Sequence, residues 1–319
     1  MPLYSVGKVI KEARKRLRSL EGDKYSQENV AEGICSVATL SKIENCVQNP
    51  SKKVMEALLQ RLGLPVGIYN ISATDDEIKR AEIEWKINAC VAKRNLHIEE
   101  LLEEYRSCCA SEMGVLEKQF YLYFKAIYMA WGRKAPAEEA IPLFAEALRL
   151  TVKDFTLESE SYRRFYTIEE LMILNNIALE EYTIPEKKDK AIRRMYFLKN
   201  YFEKSDMDNE EREKQYPVIL SNLSNWEEDE GHYEKEFELA EEGLKICIKY
   251  NKLQCFDHLL FNKGIALAYL GKAKEARKAI LTALSIMRAK GLSEMADHCH
   301  EQVKKIFGFD FSAELKKML

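Results

Sequence analysis

Residues 25–45 read YSQENVAEGICSVATLSKIEN, and how this stretch folds decides the architecture of the N-terminal part. Ser26 and Ser36 each stand just before a short run with helical spacing. A serine hydroxyl in that place accepts a hydrogen bond from one of the free N–H groups that open a helix. Val30 and Ile34 share one side of the first run, Leu40 and Ile43 one side of the second, so each predicted helix has an inner face that needs neighbours to cover it. Upstream, VGKVIKEAR at 6–14 continues to residue 20 as an amphipathic helix, with Val6, Val9, Ile10, Ala13 and Leu17 inward and Lys8, Lys11, Arg14, Lys15 and Arg18 outward. EGDKY at 21–25 reads as a loop. Downstream, NPSKKVMEALLQRLGL at 49–64 breaks the chain at Pro50 and opens a last helix at Ser51, buried through Val54, Leu58, Leu59 and Leu62. The expectation is an all-α, five-helix head over residues 1–66.

Charge divides the chain in the same place. Residues 1–65 hold 11 Lys+Arg against 7 Asp+Glu, a net +4, so the remainder carries −7 of the total −3. A basic head on an acidic body is the balance of a nucleic-acid binder with a separate regulatory part. Phosphate neutralisation could draw on Lys8, Lys11, Arg14, Lys24, Lys42, Lys52 and Lys53.

The segments VGKVIKEAR, YSQENVAEGICSVATLSKIEN and NPSKKVMEALLQRLGL, in that order, resemble the Xre/Cro helix-turn-helix family. The turn position that family gives to glycine is Ile34 here, with Gly33 one residue earlier. The form ICSVATLSKIEN also resembles the peptide-sensing regulators of the PlcR and Rgg kind. The resemblance implies that the second helix of the pair enters the major groove of double-stranded DNA and presents Ser36, Val37, Ala38, Thr39, Ser41 and Lys42. Gln27 and Lys52 would reach phosphates, and Glu44 would be structural. Because the expected base readers lack Arg, Gln and Asn, apolar contact with thymine methyls and shape readout would carry more of the preference. The competing reading is a bare helical domain used for protein contacts.

Beyond residue 66, a linker is expected at 67–77 and helix after helix over 78–319. A shift of 40 residues lays Leu220 on Leu260, Asn222 on Asn262, Gly231 on Gly271, Gly243 on Ala283, Leu244 on Leu284 and Ile246 on Ile286. In FNKGIALAYLGKAKEARKAILTALSI, residues 261–286, Gly264, Gly271, Ala276 and Ala283 occupy the small-residue positions of a tetratricopeptide repeat, where antiparallel helices approach closely. Weaker copies place Ala140, Phe144 and Ala147, then Ala191, Met195 and Leu198, at the equivalent spacing. The expected body is a tetratricopeptide-like α-solenoid with a concave groove, serving as sensor and dimerisation platform. Asparagine is a mediocre helix former, so its return at Asn222 and Asn262 asks for a reason. A side-chain amide both donates and accepts and can hold a peptide backbone. In the PlcR-like regulators asparagine at the matching position does so. That resemblance implies a short peptide ligand held by Asn222 and Asn262, with Asn176 and Asn225 behind them and His258 and Tyr269 lining side-chain pockets. The alternative is that these amides bond backbone carbonyls between repeats.

Other functions find little support. No HExxH, GxSxG, phosphate-loop or dinucleotide glycine pattern occurs, so no enzyme and no cofactor is expected. His298, Cys299 and His300 are consecutive and would diverge on a helix, which disfavours a metal. The eight cysteines show no CxxC pair and suit a reducing cytoplasm. No apolar run is long enough for a membrane span. The expected protein is a cytoplasmic, homodimeric regulator of a palindromic operator whose DNA binding responds to a short signalling peptide. Two other readings stand beside it: a DNA-tethered protein whose repeats capture a partner protein, and a ligand-independent repressor.

Overall fold

A computed structural model describes residues 6–66, 75–92, 95–108, 113–158, 165–204 and 209–316, all helix and connecting turn with no strand among them. Positions 67–74 of the expected linker lie outside the described residues. The chain divides into two compact units, one running to Arg194 and the other built from Met195–Lys204 and residues 209 onward.

The first unit opens with α1 (Val6–Glu21), a 3₁₀ turn (Gly22–Tyr25), α2 (Gln27–Ala31), α3 (Val37–Glu44) and α4 (Lys52–Arg61). The head therefore has four α-helices, and the fifth helical segment is the 3₁₀ turn where a loop was expected. Ser26, Ser36 and Ser51 cap α2, α3 and α4 through their hydroxyls. Ile10, Val30, Leu40, Ile43, Leu58 and Leu59 close a core between these helices. Gly33 takes φ +71 at the end of α2, a left-handed conformation that Ile34 could adopt only under strain. The turn glycine thus sits one residue before the family's usual place.

The same unit continues through α5 (Asp75–Ala92), α6 (Glu99–Cys108), α7 (Val115–Ile127), α8 (Ala137–Arg149), α9 (Ile168–Tyr182) and the start of α10 (Lys188–Lys204). Ala140, Phe144, Ala147 and Ala191 are buried, as the repeat spacing predicts. These helices hold the head directly. Leu116 of α7 enters the head's core. The Arg61 guanidinium donates to the carbonyls of Asn29, Val30 and Glu32 at the C-terminal end of α2, and pairs with Glu170 Oε1 at 3.5 Å. Glu170 is also the return arm of the capping box that Thr167 makes at the start of α9. One buried carboxylate therefore joins the cap of a body helix to the arginine that closes a head helix. The backbone of Thr151 lies so close to Gly33 that a Cβ there would sit 2.1 Å from its carbonyl oxygen.

The second unit stacks α11 (Asn209–Asp229), α12 (Tyr233–Tyr250), α13 (Phe256–Tyr269), α14 (Ala273–Ala289), α15 (Ser293–Phe307) and the short α16 (Ser312–Lys316). The ends of α11 and α13, and the starts of α12 and α14, fall 40 residues apart, the period read from the sequence. Gly231, Gly271 and Gly291 all turn at φ 75–81°. In each, the next N–H returns to the carbonyl five residues back: His232 to Glu227, Lys272 to Leu267, Leu292 to Met287. That is the Schellman closure, which satisfies carbonyls a helix end would otherwise leave bare. Gly243 and Gly264 serve close packing instead, since added Cβ atoms would meet Leu259 and Ile280 at 2.6 Å. Gly271, read as a packing position, has open space around it and is needed for its φ.

Candidate functional site

The outer face of α3 carries exposed polar side chains. Ser36 Oγ accepts the Thr39 N–H at 3.0 Å and touches Thr39 Oγ1 at 2.8 Å, so both hydroxyls work at the helix start. Val37 is 37% exposed, Ser36, Ala38 and Lys42 are exposed, and Thr39 and Ser41 are half-buried. The opposite side of α3 is anchored. Glu44 is buried, accepts from Arg14 Nε at 2.5 Å and Nη2 at 2.8 Å, and accepts from Gln27 Nε2 at 2.7 Å. Gln27, expected at a phosphate, thus donates its amide within the head, and Arg14, expected as a phosphate partner, is buried in an ion pair. A carboxylate taken out of water holds whatever donors reach it, and these two do.

Lysines separate in the same way. Lys42 stays exposed, and Lys52 is exposed with Glu56 at 3.8 Å. Lys53 turns inward, 2.9 Å from Glu84 and 4.3 Å over the Phe120 ring. Lys24 pairs with Glu21 and lies over Phe165. Three exposed amides at the far end of α3, Asn45, Gln48 and Asn49, were missed in the sequence. Asn45 caps α3 and accepts from Lys11 Nζ at 2.7 Å. Their signal was the run NCVQN before Pro50, which reads as a helix stop.

Residues 10–68 match the helix-turn-helix family. This segment is a helix-turn-helix domain. No curated protein matches the chain. Among solved structures, PlcR of Bacillus thuringiensis in complex with a peptide and DNA is similar at 17% identity and a TM-score of 0.58, over 92% of this chain and 98% of that one. PlcR in its apo form is similar at 15% identity and 0.56, over 94% and 98%. ComR of S. thermophilus, in complex with DNA and its signalling peptide, is similar at 15% identity and 0.51, over 96% and 100%. The shared feature is the fold: a helix-turn-helix domain followed by a helical repeat body.

Of the six residues read as peptide contacts, one belongs to the first unit and five to the second. Asn176 belongs to the first unit, is buried, and donates Nδ2 to the Tyr123 hydroxyl at 2.9 Å while its Oδ1 accepts from Asn175. Burial pushes the Tyr123 phenol well above its ordinary range, so it stays a protonated partner. The other five lie in the second unit. Asn262 is 6% exposed and donates Nδ2 to Ser221 O at 3.1 Å and Ser224 Oγ at 2.7 Å, bracing α13 on α11. Asn222 and His258 are half-buried. Asn225, one turn beyond Asn222, is exposed. Tyr269 is 39% exposed and stacks on Tyr233 at 4.0 Å. A cleft of about 420 Å³ in this unit is lined by Glu203, Arg212, Tyr216, Glu242, Lys249 and Tyr250, and includes none of the five. Of the His-Cys-His run, His300 is buried and its Nε2 accepts the Phe311 N–H at 2.9 Å. No three metal-binding side chains gather among the described residues, and no described helix is long and apolar enough to cross a membrane.

Proposed function

We propose that the chain is a cytoplasmic transcription regulator whose helix-turn-helix domain binds double-stranded DNA and whose repeats sense a short peptide. The supporting observation is the division of α3: Ser36, Val37, Ala38 and Lys42 face outward while Glu44, Arg14 and Gln27 hold its back rigid. A reading helix needs that combination, because base edges are discriminated only by side chains held in fixed register. Domains at 1–66 and 78–319 would act as reader and sensor. Two copies would present paired reading helices to a palindromic operator, roughly one helical turn apart. Exposed Asn225 would be the asparagine to meet a peptide, and a ligand would act by favouring one head arrangement over another.

The test is a gel shift on the DNA upstream of the chain's own gene, with and without culture extract. Binding that changes with extract supports the reading; no binding in any condition refutes it. One observation favours a second reading, a ligand-independent repressor: the amides of Asn176 and Asn262 are both engaged inside the fold. Under it, DNA binding is the same with and without extract, in the native chain and in Asn225→Ala alike.

A further inference from the structure

Glu236 stands one turn into α12 on the face that packs into the second unit, at the position where the next repeat places Ala276. It is fully buried, and neither carboxylate oxygen has a hydrogen-bond partner. A buried carboxyl group without hydrogen-bond partners is costly in either protonation state, and a repeat that elsewhere uses alanine has no packing reason to keep one. Around it, α11 ends with Glu228 and Asp229, while Tyr233, three residues before Glu236, stacks on Tyr269 of α13 with rings 4.0 Å apart and 9° from parallel. Tyr269 meets Phe307 edge-on at 4.8 Å, and its own ring is 39% exposed, so it is the rim of this corner.

We propose that this corner binds a primary ammonium group, whose N–H donors fill the two bare Glu236 oxygens while its carbon stem lies against Tyr233 and Tyr269. Ammonium supplies three donors and no acceptor, which matches a carboxylate with both oxygens unfilled. Stacked tyrosine faces attract organic cations as well. A divalent metal fits less well, since no three acidic, histidine or cysteine side chains among the described residues converge at ligand spacing. Within the unit, Lys235 pairs with Glu227, and Lys263 and Lys272 lie over the Phe237 ring.

Burial, with Glu228 and Asp229 adding to it, pushes the Glu236 carboxyl up to about 9, so at neutral pH it holds a proton. Glu228 is itself pushed up to about 7, and the Tyr269 phenol is raised. Ligand entry then exchanges one cation for another: the ammonium forms its bonds to the carboxylate and the carboxyl proton leaves to the buffer.

The full chain is titrated with n-butylammonium chloride in mildly alkaline buffer, by calorimetry and thermal melting, against potassium chloride and tetramethylammonium chloride at equal ionic strength. Butylammonium should bind, raise the melting temperature and release up to one proton per site, fewer as pH approaches 9, measured in two buffers of different ionisation enthalpy; tetramethylammonium, lacking N–H donors, should not. Glu236→Gln, close in shape, should weaken binding by roughly tenfold or more through loss of the charge-assisted bonds. Tyr269→Ala, which keeps the carboxylate, should weaken it several-fold. Absence of binding, an equal response to tetramethylammonium, binding without proton release, or undiminished binding by Glu236→Gln each overturns the proposal. None of these measurements reads DNA or peptide, so the regulator assignment stands or falls separately.

Discussion

Two glycines with nearly the same backbone separate local turn chemistry from long-range contact. Gly33 has φ +71 and Gly271 φ +75, so alanine at either pays a left-handed penalty of about 1–2 kcal/mol. Alanine also restricts the unfolded chain, which returns about 0.4–1 kcal/mol. Around Gly271 nothing lies within 4 Å of an added Cβ, so Gly271→Ala should destabilise by about 1 kcal/mol. At Gly33 the Cβ would stand 2.1 Å from Thr151 O, and backbone, unlike a side-chain tip, does not swing away. Forced overpacking adds about 1–3 kcal/mol, so with the same unfolded-state return Gly33→Ala should cost about 1–4.5 kcal/mol. Urea unfolding followed by circular dichroism measures both. Because the two glycines lie in different compact units, each change should appear in its own unit's transition if the two separate. Limited proteolysis should cut the Gly33→Ala head faster. Equal losses for the two variants would refute the claim that Thr151 presses on the helix-turn-helix turn.

Three further outcomes follow from named contacts. Asn262→Ala removes a donor shared by Ser221 O and Ser224 Oγ and should lower stability by about 1–2 kcal/mol, whereas exposed Asn225→Ala should stay within about 0.5 kcal/mol, both read from urea midpoints. Lys42→Ala should weaken binding to all DNA sequences alike and reduce the salt slope by about 1, measured by fluorescence anisotropy across a salt series. Glu236 titrates about 9 in the fold against 4.5 in the unfolded chain. The folded chain therefore holds its proton more tightly, so this group's contribution is fully present below 4.5 and fades as pH rises toward 9. Melting temperature should fall over that window more steeply in the native chain than in Glu236→Gln; parallel curves would contradict it.

The serine caps, the inward faces of α1 to α4 and the 40-residue period were legible because each is written within a few residues of chain: a cap needs its own hydroxyl and the third N–H beyond it, and an amphipathic face needs only spacing. EGDKY was misread as loop because a single 3₁₀ turn has no hydrophobic period. Gly271 was recognised as a glycine position for packing, yet it serves its φ; spacing marks where a small residue stands and is silent about why.

The polar side chains were where reading by position ran out. Whether Gln27 meets a phosphate or Glu44, and whether Asn262 meets a peptide or Ser224, depends on a partner 17 or 38 residues away. The Arg61–Glu170 pair spans 109 residues. Sequence alone determined that the chain is helical, where the capped helices of the head start and which of their sides are apolar, since hydrogen bonding and side-chain period act along the chain. Only the tertiary structure decided which donors and acceptors remain for another molecule, because a buried charge takes the nearest partner in space, and folding sets that distance.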